Sequence, residues 1–245
     1  MKIPYVKFFI EEKKIIFYFN KINKADILDG INIDEEVLVT NDGTIIYPIK
    51  EINVRPKWTC HQDIEEVIFD ESFSDYIPIS TAYWFYDLKQ MTKITNIQNL
   101  NTSNVIDMSW MFADCFSLKN IDLSTFDTSK VKNMSYMFAH CHSLETIDLS
   151  SFSNENIKWK DKPKEEDDNG YAAMFWDCPK LETIYIGNSW DENQKVLPMS
   201  GWLFADCPVL KGEKGSKPFD PEYDGIYARV DGGPEKPGYF TYKIK

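Results

Sequence analysis

The sequence predicts a β-rich α/β solenoid: a stack of about five repeats, each with a short strand, a polar arc and one helical turn. Three observations predict it. First, a phrase recurs. Ser109-Trp110-Met111-Phe112-Ala113-Asp114-Cys115 is echoed by Ser135-Tyr136-Met137-Phe138-Ala139-His140-Cys141, by Ala172-Ala173-Met174-Phe175-Trp176-Asp177-Cys178 and by Gly201-Trp202-Leu203-Phe204-Ala205-Asp206-Cys207. An earlier copy, Tyr83-Trp84-Phe85-Tyr86-Asp87-Leu88, has Leu in the Cys slot. Second, the spacing is nearly fixed: Cys115 and Cys141 lie 26 residues apart, and Cys178 and Cys207 follow after 37 and 29. Third, each Cys is followed by a Leu three residues on (Leu118, Leu144, Leu181, Leu210), and the first three copies continue with Ile121-x-Leu123, Ile147-x-Leu149 and Ile184-x-Ile186. Alternation of that kind belongs to a strand with one apolar side.

Within a repeat, Ser109 and Ser135 read as N-caps of a single helical turn that holds Met, Phe and Cys. One repeat cannot bury its own apolar side, so stacked copies should form ladders, with the cysteines in a buried row. Phe126 and Phe152 read as inward plugs of the polar arc. The interval from Cys141 to Cys178 exceeds the period by 11 residues, which places an insertion at 154–170, where Trp159 is the member of the charged run that solvation does not explain and reads as an anchor.

The ends should be caps, because an open stack exposes its core. Residues 5–9 and 14–20 are β-rich and predict a hairpin, with further strands around 37–40 and 44–49. Residues 1–59 are thus expected to be an N-terminal β subdomain, and 60–211 the repeat region with its insertion. Residues 212–245 are expected to be a C-terminal hairpin cap, with strands at 226–230 and 239–243 around the turn formers Asp231-Gly232-Gly233-Pro234.

Charge narrows the partners. With 27 Lys+Arg against 39 Asp+Glu, the net charge is −12. Such a chain lacks the basic field that phosphate backbones and anionic membranes attract. No stretch approaches the roughly 18–20 apolar residues that span a bilayer, so no membrane insertion is expected. Lys7 and the run from Glu11 to Lys14 interrupt any signal-like apolar stretch, so the expected location is cytoplasmic, or the cell surface or medium if a leader has been removed. Five cysteines, an odd number, fit poorly with a full set of internal disulfides.

Chemistry is sparse. No phosphate-binding glycine loop, nucleophile elbow or His-Glu-x-x-His is present, and there are three histidines. His140-Cys141-His142 is not expected to bind metal, because Cys141 belongs to the core row. Cys60-His61 is adjacent in sequence without a reason to be a nucleophile–base pair. Asp122 and Asp148 read as solvated. No catalytic, cofactor or metal residue is therefore expected, and the chain reads as non-enzymatic. What remains is a face: Lys119, Asn120 and Asp122, then Glu145, Thr146 and Asp148, then Glu182, Thr183 and Tyr185, with Trp159 from the insertion. Extended faces of this kind bind proteins, and the acidic balance points to a partner with a basic surface. The alternative is an intracellular immunity or inhibitor protein that neutralises a basic toxin or effector.

Ser135-Tyr136-Met137-Phe138 with Cys141, Leu144, Ile147-Asp148-Leu149-Ser150 and Phe152 resembles the BspA-like leucine-rich-repeat proteins, bacterial surface proteins with a 26-residue repeat. Val67-Ile68-Phe69-Asp70-Glu71-Ser72-Phe73 is similar to that family's entry segment, and Val230-Asp231-Gly232-Gly233 with Pro237-Gly238-Tyr239-Phe240-Thr241 to its closing segment. The resemblance implies a leucine-rich-repeat-like fold, adhesion or host-protein binding, and no catalytic residues.

Overall fold

A computed structural model describes residues 2–22, 37–40, 44–49, 55–157, 172–190, 202–217 and 227–243. The chain opens with β1 (Ile3–Phe9) and β2 (Lys14–Asn20), which pair antiparallel as the alternation predicts, Val6 opposite Phe17. Next come β3 (Leu38–Val39), β4 (Ile45–Pro48), β5 (Glu66–Phe69), β6 (Lys93–Thr95), β7 (Thr146–Leu149), β8 (Thr183–Ile186) and β9 (Phe240–Tyr242). The helices among the described residues are short 3-10 pieces, at Lys57–Cys60, Glu71–Asp75 and Ile97–Asn99.

These strands make two sheets. One has six strands in the order β3-β4-β1-β2-β5-β6, and the other has three in the order β7-β8-β9. The expected fold class is corrected here. Among the described residues no single sheet runs along the repeats; they form a mixed, strand-rich arrangement of two sheets with few helices, not the expected leucine-rich-repeat-like solenoid. Residues 119–123, aligned with β7, form no strand.

The expected helical turn is also absent, for a physical reason. Each recurring phrase carries two non-glycine residues in the left-handed region: Tyr83 and Asp87, Trp110 and Asp114, Tyr136 and His140, Ala173 and Asp177, Trp202 and Asp206. A right-handed helix cannot contain them. The serine caps are replaced by Asx turns. Asp107 Oδ1 accepts from the Ser109 amide (2.9 Å) and hydroxyl (2.7 Å), and Asn133 Oδ1 does the same for Ser135 (3.0 and 2.7 Å). Left-handed φ in residues with a Cβ costs of order 1 kcal/mol each. Bonds to the next turn hold the geometry: the Trp110, Phe112 and Asp114 amides donate to the Ser135, Met137 and Ala139 carbonyls at 3.0, 2.9 and 2.9 Å. The Tyr136, Phe138 and His140 amides repeat the pattern onto Ala172, Met174 and Trp176 at 2.9, 2.9 and 2.7 Å.

Side chains add ladders through the core. Phe85, Phe112, Phe138, Phe175 and Phe204 stack with centroids 5.1, 5.4, 5.7 and 5.9 Å apart. Both ends of this ladder meet rings turned edge-on: Phe17 and Phe69 against Phe85, Tyr239 and Phe240 against Phe204. Perpendicular rings close a stack, because they cover the open face of the last ring with an edge. Phe126 and Phe152 form a shorter buried ladder. Cys115, Cys141, Cys178 and Cys207 are buried and unbridged, whereas Cys60 is exposed. Each buried thiol donates to the carbonyl of the previous turn's phenylalanine: Cys115 to Phe85 (3.2 Å), Cys141 to Phe112 (3.3 Å), Cys178 to Phe138 (3.1 Å) and Cys207 to Phe175 (2.9 Å).

The C-terminal hairpin is a further correction. β9 pairs parallel with β8, Ile184 opposite Phe240, and Val230 bridges Phe240 in the parallel sense. Tyr239 and Phe240 are almost fully buried. The segment extends the β7-β8 sheet on one side and meets 227–231 on the other in the parallel sense, with the Tyr239 and Phe240 amides donating to the Tyr227 and Arg229 carbonyls at 3.0 and 3.1 Å, so the contact is not an antiparallel hairpin. Asp231 holds the returning loop. Its carboxylate accepts from the amides of Lys214, Ser216 and Gly233 and from the Ser216 hydroxyl. Gly212 packs so closely here that a Cβ would sit 2.1 Å from the Gly238 carbonyl oxygen.

Candidate protein-binding surface

The strand-face residues lie where alternation puts them, on the outer side of the β7-β8-β9 sheet and the segment before it. Lys119, Asn120, Asp122, Glu145, Thr146 and Glu182 are exposed; Asp148, Thr183 and Tyr185 are half-buried. Thr146 faces Thr183 and Asp148 faces Tyr185 in parallel register. Trp159 and the core of the 154–170 insertion fall outside the described residues.

The charges of this row are partly matched within the molecule. Lys243, from the end of the chain, donates to Asp148 and lies over the Tyr185 ring at 5.6 Å. Burial works against the Asp148 charge, but the Lys243 ammonium and the Ser150 bonds outweigh it, so this carboxyl titrates below its ordinary range. Lys211 lies 3.5 Å from Glu182. Asp122 accepts from the Ser124 amide at 3.0 Å, and its hydrogen bonds to Ser124 hold its carboxyl low.

The recurring turns bring a second row together, one that sequence reasoning missed. In four of the five turns the first left-handed residue is aromatic and lies at least partly exposed on the outside of the core, whereas Ala173 is buried. Tyr83 stacks on Trp110 at 6.0 Å, and Trp110 on Tyr136 at 4.1 Å with planes 10° apart. In the fourth turn the position is Ala173, and Trp176 fills the gap, 6.5 Å from Tyr136 and 5.6 Å from Trp202. Trp202 is 50% exposed, while Tyr83, Trp110, Tyr136 and Trp176 are half-buried. Tyr86 joins from the side, 5.7 Å from Trp110 with its ring edge-on.

The second left-handed residue forms a parallel polar row: Asp87, Asp114, His140, Asp177, Asp206. Asp87 is tied into the N-terminal part by Arg55 at 2.7 Å, Gln62 at 2.8 Å and Lys89 at 3.2 Å. Burial, reinforced by Asp114, raises the Tyr86 phenol above its ordinary value. Asp206 accepts from the Trp176 indole N–H at 3.2 Å. His140 Nδ1 and His142 Nε2 lie 3.0 and 2.9 Å from Asp177 Oδ2. Burial opposes the Asp177 charge, yet these imidazole hydrogen bonds outweigh it and keep the carboxyl low. The adjacent pair Cys60 and His61 is drawn apart chemically: the His61 ring stacks on Phe8 at 3.9 Å and meets the Tyr47 hydroxyl. Burial there lowers the His61 imidazole below its ordinary value.

The signal for this row was present in the sequence. Asp107 or Asn133 stands two residues before Ser, and Trp, Tyr and Asp recur at fixed slots of the phrase. A polar side chain two residues ahead of Ser marks an Asx turn, and that turn aims the following aromatic outward.

Among known proteins, residues 80–205, just over half of the chain, match the family model described as "Mycoplasma protein of unknown function, DUF285". No curated protein and no solved structure matches the chain. The resemblance to BspA-like leucine-rich-repeat proteins is corrected by this result, since the residues that carry it, 135–152, lie inside the segment that DUF285 matches, and no BspA-like family is found there. Among the described residues no helix is long and apolar enough to cross a membrane.

Proposed function

The chain belongs to the family of Mycoplasma proteins of unknown function designated DUF285, and we propose, from the geometry of its surface, that it is a non-enzymatic protein-binding module whose contact surface is the outer row of its recurring turns. The observation that carries this reading is the partly exposed run Tyr83, Trp110, Tyr136, Trp176 and Trp202, flanked by Asp114 and Asp206. Tyr and Trp are the residue types that dominate binding energy at protein interfaces, and a contiguous, partly exposed row of them fits an interaction site. Backbone bonds between turns fix the spacing of the rings, so little freedom is lost when a partner docks. The strand face contributes polar contacts at its edge, Asp122, Glu145 and Thr146 foremost, because Lys243 and Lys211 already occupy Asp148 and Glu182. The net charge of −12 favours a partner with a basic patch and an association rate that falls as salt rises.

The test starts with a pull-down from native lysate and mass-spectrometric identification of the captured protein, followed by affinity measurement with purified partner. Trp110→Ala with Tyr136→Ala should weaken binding at least tenfold. Glu145→Lys with Asp122→Lys should mainly slow association. Binding unchanged in both variants, each shown to be folded, would exclude the two surfaces.

A further inference from the structure

We propose that His140, His142 and Asp177 form a binding site for one divalent transition-metal ion of the Zn²⁺ class. The two histidines flank Cys141, whose side chain points into the core row, and the left-handed backbone at His140 turns its imidazole to the outer side together with that of His142. The next turn delivers Asp177 to the same point. One ligand atom from each residue lies within 4.8 Å of the others. The imidazole nitrogens are 3.0 and 2.9 Å from Asp177 Oδ2. Ligands bound to Zn²⁺ at about 2.0–2.2 Å in a tetrahedron lie roughly 3.3–3.6 Å from one another. Both nitrogen-to-carboxylate distances are thus within a few tenths of an ångström of coordination values, and the nitrogens, within 4.8 Å of each other, need shift by no more than about an ångström to share one ion, with an imidazole lone pair replacing each N–H.

The donor set selects the ion. Two imidazoles and one carboxylate suit borderline transition metals, whereas Ca²⁺ and Mg²⁺ prefer all-oxygen sites. The ligands are held before any ion arrives. The His142 ring stacks on Phe116 at 4.4 Å, the His140 ring packs against Trp176 at 4.6 Å, and the His140 amide donates to the Trp176 carbonyl at 2.7 Å. Such packing fixes ring orientation and limits the entropy lost on binding. Side-chain exposures of 24%, 39% and 36% for His140, His142 and Asp177 leave a path for the ion and room for water as the fourth ligand. In the other four turns the slot of His140 holds Asp (Asp87, Asp114, Asp177, Asp206). The third turn departs from that pattern, and the departure places a borderline nitrogen donor beside the next carboxylate.

The experiment titrates Zn²⁺ into the chelator-treated full chain, free of any polyhistidine tag, by calorimetry, with the visible absorption of Co²⁺ as an independent report of nitrogen and oxygen coordination. One equivalent should bind, with Mg²⁺ and Ca²⁺ giving no heat at the same concentrations. His142→Gln and Asp177→Asn should each weaken Zn²⁺ binding at least tenfold, and Cys60→Ser, which removes the exposed thiol, should leave it unchanged. His142→Gln changes a half-exposed side chain and carries the test if Asp177→Asn fails to fold. Absence of stoichiometric binding, equal binding by His142→Gln, or loss of binding only in Cys60→Ser would each overturn the proposal.

Discussion

Asp231 offers a perturbation whose size follows from its surroundings. It is 1% exposed. Oδ2 accepts from the Lys214 and Ser216 amides at 2.7 and 3.0 Å, and Oδ1 from the Ser216 hydroxyl and the Gly233 amide at 2.7 and 2.9 Å. Burial alone would raise its pKa. The bonds from Ser216, Gly233 and Lys214 outweigh burial and bring it from 3.8 to about 2. The folded carboxyl is thus the stronger acid, so its stabilisation is fully present above the unfolded value and is lost as pH falls through the folded one, between about 4 and 2. A shift of about 1.8 units at 1.36 kcal/mol per unit gives roughly 2 kcal/mol. Asp231→Asn turns one oxygen into an N–H donor that must confront the donors once served, so the loss at pH 7 should be about 2–3 kcal/mol. Urea unfolding followed by tryptophan fluorescence, at steps from pH 7 down to 2.5, measures it. The gap between wild type and variant should close below pH 4, while the other shifted carboxylates act equally in both and cancel. A gap that is absent at pH 7, or that persists undiminished at pH 2.5, would refute the reasoning.

Three further outcomes follow from the core. Burial pushes the Cys115, Cys141 and Cys178 thiols up, so in native protein a thiol reagent should modify exposed Cys60 quickly and the four buried cysteines only after unfolding, as counted by mass spectrometry. Cys141→Ser should lower stability by about 1–3 kcal/mol in denaturant melts, because the shorter side chain leaves a gap and a poorer bond to the Phe112 carbonyl. Phe138→Ala removes the middle ring of the stacked ladder and should cost about 3–5 kcal/mol by the same assay, with Phe126→Ala, at the edge of the shorter ladder, costing less.

What the sequence disclosed was inward spacing. Recurrence at about 26 residues identifies which side chains repeat, and Met111, Met137 and Met174, the phenylalanines, the four cysteines and Leu118, Leu144, Leu181 and Leu210 are indeed all buried. Periodicity does not report backbone conformation. The phrase Ser-x-Met-Phe-x-x-Cys fits one helical turn on paper, and only the Asx bonds from Asp107 and Asn133, with left-handed residues at two slots, exclude it. Strand pairing was similarly out of reach. Residues 226–230 and 239–243 alternate well enough for a hairpin, yet the burial of Tyr239 and Phe240 against Phe204 draws the last strand parallel to β8. The strand face of the candidate surface was readable from alternation. The aromatic row was not read, because Trp110, Tyr136 and Trp202 look like core residues until the turn geometry shows which way each faces.

The central claim is that the outer row of turns binds a protein, and one measurement addresses it most directly. Once a partner is captured, the complex should be mapped by hydrogen–deuterium exchange and its affinity compared between wild type and Trp110→Ala with Tyr136→Ala. The account predicts protection concentrated on the turns at residues 109–114 and 135–140, together with at least a tenfold loss of affinity in the folded variant. Protection confined to other parts of the chain, with affinity unchanged in that variant, would contradict it.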